Sequence, residues 1–295
     1  MEGYLELFRE NVRKIGIDVD YAAIERAAKD DPAGAYFQST IENIDTSELG
    51  EIDLVCLIHC LEHVENPSLT LRKLLLASHA DTLLFIETPI LDLARNFLGD
   101  INGFFSVQHM THFSRNSLRR LLSENGYQVV RWSEMEAYNG VRIIATPNKS
   151  QESIESSVEN FHPNPIQDIA TLDLYMREWN DSIQQVVSRL ANAARETDEL
   201  VFYGAGMHTE LLFGHASELL RSISIRIVDT DSKKIGSYFR NICVEPATVL
   251  GELDFSDKKL VVSSYGSAEA MLKIALSLGV PVNKILCLYN VVMAY

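Results

Sequence analysis

The chain opens with MEGYLELFRENVRKIGIDVDYAAIERAAKD, residues 1–30, and the second half of this stretch decides the fold. Ile15–Val19 predicts a short strand that includes Asp18, and Tyr21–Lys29 predicts a helix capped by Asp20. In nucleotide-binding α/β units, an acidic residue at the end of a strand usually accepts the hydroxyls of a ribose. Alternatively, Asp18 only complements the positive end of the helix dipole, and spacing alone does not separate the two interpretations.

A glycine-rich turn should stand roughly 20 residues before such an acid. The chain begins at Met1, and Gly3 is all that it holds of such a turn. The sequence therefore predicts a nucleotide-type unit whose first turn is incomplete.

Composition narrows the class of protein. The 295 residues carry a formal net charge of -15, which makes a nucleic acid partner a poor hypothesis because phosphate backbones are repelled. No apolar run approaches the length of a membrane span, and the N-terminus lacks a signal-peptide core. The four cysteines form no C-x-x-C pair and are expected to be reduced, buried thiols of a cytoplasmic protein; they are Cys56, Cys60, Cys243 and Cys287.

The pattern from residue 4 to residue 146 alternates strands with helices, which predicts a doubly wound α/β sheet. IDLVCLIH, residues 52–59, is apolar enough for a strand covered on both faces, and Asn66–Ala80 predicts a helix with Leu69 on its inner side. The remaining predicted elements are a strand at Ala35–Gln38, a strand at Thr82–Glu87, a helix capped by Ser114 and ending at Gly126, and an antiparallel pair formed by residues 127–134 and 140–146.

A polar, proline-containing linker is predicted for residues 147–166, followed by a long amphipathic helix that packs one domain on the other. A second α/β unit begins at Leu200. The predicted organisation is an incomplete first domain over 1–146, the linker and helix over 147–197, and a second Rossmann-like domain over 198–295.

Imidazoles and one carboxylate cluster around the end of the strand at residues 52–59. His59, Glu62 and His63 stand close together, and His109 and His112 follow in QHMTHF. Such a set could bind a divalent metal, although His59 suits magnesium poorly. The favoured alternatives are a His–Glu hydrogen-bonding pair, or acid–base catalysis by His63 or His109 with Glu62 orienting one of them. The predicted site therefore has no metal.

A second glycine turn lies in FYGAGMHTELL. Gly204 and Gly206 are followed by Asp229 at the end of a strand, close to the spacing of a dinucleotide fingerprint. This favours an NAD-dependent oxidoreductase if read alone. Because Thr209 replaces the third glycine, an accessory Rossmann-like domain without a dinucleotide is the alternative.

Five segments resemble class I S-adenosylmethionine-dependent methyltransferases in order and interval. They are IGIDVDYAAIERA, YFQSTIENI, IDLVCLIHCLEHVENP, TLLFIETP and HMTHFSRNSLRRLLSENGYQVV. The N-terminal half resembles ubiquinone-pathway O-methyltransferases, and both halves resemble sugar C-methyltransferases, whose C-terminal domain is similar to residues from YGAGMHTELL onward.

The resemblance implies S-adenosyl-L-methionine as cofactor and a small-molecule acceptor, with a nucleotide-linked sugar as the best interpretation. Methyl transfer would go to carbon or oxygen. By this resemblance the cofactor-binding residues are Gly3, Asp18, Thr40, Ile41, Glu42, Ile58 and His59. The acid–base candidates are Glu62, His63, His109 and His112. The acceptor would contact Gly204, Gly206, His208 and Asp229, which otherwise only shape the turn.

The chain departs from the family at its start, where the first strand and most of the glycine turn are missing. The resemblance favours a clipped sequence over a protein that lacks half of its cofactor site. In either case, we expect the strands beside the missing one to lack a partner. A methyltransferase-like binding protein without catalysis is the second alternative function.

Overall fold

The computed structural model describes residues 12–97, 104–106, 108–134, 140–148 and 165–289. These residues belong to two compact units. The first unit comprises the described residues of 1–96 and 107–171, and the second those of 97–106 and 172–295. The predicted linker lies almost entirely outside the described residues.

The first unit is built from strands that alternate with helices. Its elements are β1 (Ile15–Asp18), α1 (Tyr21–Asp30), β2 (Ala35–Gln38), β3 (Ile52–Ile58), α2 (Pro67–Leu76), β4 (Ser78–Pro89), α3 (Arg115–Glu124), β5 (Tyr127–Glu134) and β6 (Gly140–Pro147). Short 3₁₀ helices occur at Thr46–Leu49, Leu61–His63 and Leu91–Phe97. The predicted α/β class is confirmed.

Local capping explains where the helices begin. The Asp20 side chain accepts a hydrogen bond from the backbone N–H of Ala22, which starts α1. Ser114 and Ser117 form a reciprocal capping box at the start of α3. Both caps agree with the sequence prediction.

The strands of the first unit form two sheets. β1 and β2 pair in parallel, and the other sheet has the order β3-β4-β6-β5, with β3 and β4 parallel and the remaining pairs antiparallel. Within the described residues, β1 bonds to β2 alone and β3 to β4 alone.

One face of the four-stranded sheet carries the hydrophobic core. Leu57, Leu84, Ile86 and Ile143 point to this face and pack with residues of α2 and α3. The opposite face is open enough that Leu54 is 37% exposed, so the prediction that β3 is covered on both faces is wrong.

Two further predictions for this region are corrected. The helix expected over Asn66–Ala80 ends at Leu76, because Ser78 already belongs to β4, and Leu69 is exposed rather than inward-facing. The cysteine thiols are not all buried, since Cys56 and Cys243 are exposed.

The second unit contains a largely parallel sheet. Its elements are most of α4 (Pro165–Arg195), β7 (Glu199–Tyr203), α5 (Met207–His215), α6 (Ser217–Arg221), β8 (Ser224–Asp229), β9 (Tyr238–Phe239), β10 (Ile242–Pro246), β11 (Lys258–Val262), α7 (Ala268–Ser277) and β12 (Ile285–Cys287). The strand order is β12-β11-β7-β8-β10-β9, and only the β9–β10 pair is antiparallel.

The strand order reverses beside β7, because β8 lies on one side of it and β11 on the other. The carboxyl ends of β7 and β11 therefore flank the position where open α/β sheets usually hold ligands. The α4 helix buries Tyr175, Ile183 and Leu190, although Ile169 of its predicted apolar stripe is exposed. Among the described residues, no helix combines the length and hydropathy needed to cross a bilayer.

Candidate active site

Asp18 ends β1 with its carboxylate held by the turn that follows. Its Oδ1 accepts the backbone N–H of Asp20 at 2.9 Å, and its backbone carbonyl accepts the N–H of Ser39 at 3.0 Å. Asp20, not Asp18, caps α1. The Asp18 carboxylate is thus oriented at the carboxyl end of β1 and beside the start of α1, a position compatible with ribose binding and with the helix-dipole alternative.

The loop after β2 is tied to α2 through Glu42. Its carboxylate accepts a short hydrogen bond from the Thr70 hydroxyl. Burial alone would raise the pKa of Glu42, but this bond and others to its own backbone N–H and to Thr40 keep the pKa below its usual value. Thr40 and Ile41 are half-buried in the same loop, so the three predicted loop residues stay together.

Cys60 closely follows β3. Burial raises the pKa of its thiol to about 11, and the negative charges of Glu62, Asp18 and Glu42 contribute to the same rise. Cys60 and Ile41 pack against the same hydrophobic core. Parallel pairing places Asp18 beside Gln38 at the end of β2, so the carboxyl ends of β1 and β2 lie at the same edge.

His59 and Glu62 form the hydrogen-bonded pair that the sequence offered as one interpretation. His59 Nδ1 lies 3.2 Å from Glu62 Oε1, and Glu62 Oε2 accepts the Thr88 hydroxyl at 2.9 Å. The bond to Glu62 raises the pKa of His59. Although burial opposes ionisation, the bonds from His59, its own backbone and Thr88 lower the pKa of Glu62.

The backbone at His59 has a φ of 47°, in the left-handed region that a histidine rarely adopts. It directs the exposed imidazole towards Glu62 and Glu87, whose Oε1 lies 3.6 Å from His59 Nε2. Arg142 Nε contacts Glu87 Oε2 at 2.5 Å. Sequence reasoning missed Glu87, Thr88 and Arg142; the acid in FIETP, at the end of an apolar strand, was an available signal.

The later histidines reach the same place through their loop. The backbone N–H of Thr111 donates to the carbonyl of Glu62 at 3.1 Å. The His63 and His109 rings lie 5.0 Å apart, and the His109 and His112 rings lie 5.7 Å apart. Burial lowers the pKa of both His109 and His112, which favours neutral imidazoles. The predicted acid–base residues are therefore neighbours.

Asp229 forms hydrogen bonds with the second glycine turn and with the residues that follow β8. Gly204 has a φ of 111°, which favours glycine, whereas a Cβ on Gly206 would meet no atom within 4 Å. Asp229 Oδ2 accepts the Ala205 N–H at 2.8 Å and the Lys234 ammonium at 3.2 Å, and Oδ1 accepts the Asp231 N–H at 2.9 Å. Asp229 therefore shapes this turn.

His208 lies in an aromatic group that the sequence did not reveal. Its Nδ1 is 2.9 Å from the Tyr289 hydroxyl, and its ring stacks on Tyr265 at 6.5 Å. Thr209 Oγ1 lies 2.6 Å from Ser263 Oγ, beside the same turn. Parallel pairing brings residues after β7, β11 and β12 together, and no local pattern signals this.

The structure groups most of the predicted residues into two sets. Asp18, the Thr40–Glu42 loop, Ile58 and the histidine cluster belong to the first unit, and the four acceptor candidates belong to the second. Gly3 lies outside the described residues.

Comparison with known structures gives low-identity matches. The magnesium protoporphyrin IX methyltransferase of Synechocystis, solved with bound SAH, is 17% identical with a TM-score of 0.37; the match covers 46% of this chain and 65% of that one. A methyltransferase structure from Methanosarcina mazei is 18% identical with a TM-score of 0.37, covering 50% and 87%. The plantazolicin methyltransferase structure is 16% identical with a TM-score of 0.40, covering 50% and 71%. This chain thus spans less than two thirds of the Synechocystis enzyme.

With TM-scores below 0.5, these structural matches do not indicate a function. The comparison with protein families does bear on it. No curated protein matches the chain. Residues 3–131 match a family model described as a methyltransferase domain. The matched segment contains Asp18, the Thr40–Glu42 loop and the whole histidine cluster. The match supports the predicted enzyme class for this part of the chain, since residues 3–131 are similar to a methyltransferase domain.

Proposed function

We propose that this chain is an S-adenosylmethionine-dependent methyltransferase that acts on carbon or oxygen of a small molecule. The observation that carries the proposal is that Asp18 stands at the end of β1 and that Glu42 and Glu62 follow β2 and β3, all inside the matched segment. The donor's ribose hydroxyls would bind Asp18, because Oδ1 is anchored by Asp20 and the carboxylate is only half-buried.

The histidine cluster supports removal of a proton from the acceptor. As the acceptor atom forms its bond to the methyl carbon, the sulfur–methyl bond breaks and its electron pair stays on sulfur. The acceptor's proton must then leave, and a neutral imidazole can take it. We assign this role to His63 or His109, with Glu62 orienting the cluster and His112 beside it.

For the acceptor we propose a nucleotide-linked sugar, held by the second unit acting as a Rossmann-like domain. The strand-order reversal beside β7, the open space at Gly206 and the start of α5 support this choice. His208 and Asp229 complete the proposed acceptor set. The NAD alternative gains no further support, because Thr209 stands where the dinucleotide fingerprint has its third glycine.

Calorimetry with S-adenosylhomocysteine tests the donor site. Asp18→Asn keeps the size of the side chain but removes its charge, and we expect the Kd to rise about 10- to 150-fold, from a loss of roughly 1.5–3 kcal/mol in total. Asp45→Asn is the matched control, because Asp45 Oδ1 accepts the Ser47 N–H in a similar turn at 2.9 Å. The Asp45 variant should bind as the parent does.

Different outcomes separate the alternatives. Thermal stabilisation by NAD alone would favour the oxidoreductase, and no stabilisation by either ligand would favour a non-catalytic binding protein. A panel of nucleoside diphosphate sugars, added with S-adenosylhomocysteine, tests the acceptor class. If no member of the panel stabilises the protein, the acceptor proposal fails while the donor proposal stands.

A further inference from the structure

Glu62, His63 and His109 form a compact set of ligand atoms. One imidazole nitrogen from each histidine and one carboxylate oxygen all lie within 4.8 Å of one another. Ligands bound to one ion at about 2.0–2.2 Å stand roughly 3.3–4.2 Å apart. The spacing of the three ligand atoms is therefore close to the one that a single ion requires.

A hydrogen bond fixes His63 in a tautomer that can bind a metal. Its Nδ1 lies 2.8 Å from the carbonyl oxygen of Gln108, which can only accept, so Nδ1 carries the hydrogen. In the neutral ring Nε2 then keeps its lone pair. Metal-binding histidines usually donate their second nitrogen to a carbonyl or carboxylate in this way.

His109 has a buried ring nitrogen, Nδ1, that makes no hydrogen bond within the described residues. A buried polar atom without a partner costs free energy, and coordination would remove that cost.

Glu62 supplies the oxygen in a fixed orientation. The side chain is 1% exposed, His59 and Thr88 each contact one of its oxygens, and one lone pair of the carboxylate stays available beside these bonds and the one from its own backbone. A buried carboxylate oriented by neighbours is typical of a metal ligand.

We propose that Glu62, His63 and His109 bind a divalent transition-metal ion such as Zn²⁺, Mn²⁺ or Fe²⁺. Two imidazoles and one carboxylate fit these ions, whereas Mg²⁺ and Ca²⁺ prefer oxygen ligands. The three protein ligands leave positions open for an oxygen of the acceptor.

The ion refines the proposed function and rests on it for its role. The ion would act as a Lewis acid on an oxygen of the acceptor, so the acceptor class would be one that presents an oxygen to it. His63 and His109 would then hold the ion, and His112, whose ring lies 5.7 Å from that of His109, would be the neighbouring histidine available as base. The metal site itself is tested without any turnover.

The experiment uses the full chain, stripped of metal with a chelator and titrated with Co²⁺ and Zn²⁺. We expect one ion per chain, visible Co²⁺ absorption bands, and at least tenfold weaker binding in His63→Ala and in His109→Ala. His79→Ala is the matched control, because His79 forms a surface pair with Asp53 in the same unit, with Nε2 3.3 Å from Oδ1. It should bind metal as the parent does.

Mg²⁺ should not compete at equal concentration. Equal Co²⁺ binding by the parent and by a folded His63→Ala variant would overturn the proposal, as would no binding at all. Circular dichroism spectra of the His63→Ala variant and the parent establish whether the variant is folded. Binding of S-adenosylhomocysteine to the metal-free chain is measured separately, so failure of the donor proposal is distinguishable from failure of the metal site.

Discussion

Removing the Asp229 carboxylate should destabilise the second unit strongly. The residue is 4% exposed and accepts three hydrogen bonds, from Ala205 N–H, Asp231 N–H and the Lys234 ammonium. Asp229→Ala leaves the buried Ala205 donor without a partner, which costs about 1–3 kcal/mol, and it loses the charged acceptor for the other two donors. We expect a total loss of roughly 2–4 kcal/mol in the free energy of unfolding.

Tryptophan fluorescence can report on this unit alone. The chain has two tryptophans, and Trp179 of α4 lies 6.2 Å from His215 of α5 in the second unit. A Trp132→Phe background therefore leaves a single probe for urea unfolding. Asp254→Ala is the matched control, because its carboxylate accepts the Ser256 N–H at 2.9 Å at an exposed position, and it should cost less than about 1 kcal/mol.

The pH dependence gives a second readout. Burial would raise the pKa of Asp229, but the bonds from Asp231, Ala205 and Lys234 outweigh it and lower the pKa below its usual value. A group with a depressed folded pKa contributes stability above its unfolded pKa and loses it as pH falls through the folded pKa. The parent should therefore lose more stability than Asp229→Asn below about pH 4. Equal midpoints for Asp229→Ala and Asp254→Ala would refute this reasoning.

Two further changes test the packing of the first unit. Gly126→Ala should destabilise the protein by about 1–3 kcal/mol, because φ is 83° and the new Cβ would lie 2.8 Å from Leu75 Cδ2. The control is Gly214→Ala in α5 of the second unit, where a Cβ would meet open space. In thermal melts it should be neutral or slightly stabilising. Ser114→Ala should cost about 0.5–2 kcal/mol by removing the bond to the Ser117 N–H, and urea titration followed by circular dichroism would contradict this if the midpoint stays unchanged.

Local signals predicted most elements of the fold. The N-cap at Asp20, the capping box at Ser114 and the left-handed Gly126 act on residues within a few positions, so sequence spacing predicts them well. The predicted helix runs past the end of α2 because residues 77–80 contain no glycine or proline that would signal a stop, and only pairing with β3 makes Ser78 part of β4. Apolar composition also failed to predict the exposure of Leu54.

Some features of the candidate site were also predictable from the sequence, and others were not. The residue types near strand ends predicted that Asp18 ends β1 and that His59 pairs with Glu62, because both features involve residues close together in the sequence. The Glu87–Arg142 contact spans 55 positions, and only sheet register creates it.

The sequence by itself determined the alternation of strands and helices, the caps that start the helices, and the acids that follow the strands, because these depend on near neighbours. Tertiary structure alone decided which sheet face is buried and which donors occupy the Asp229 carboxylate. It also brought His63 and His109 into contact across the loop. Those outcomes depend on strand pairing and packing between distant segments, which no short stretch of sequence encodes.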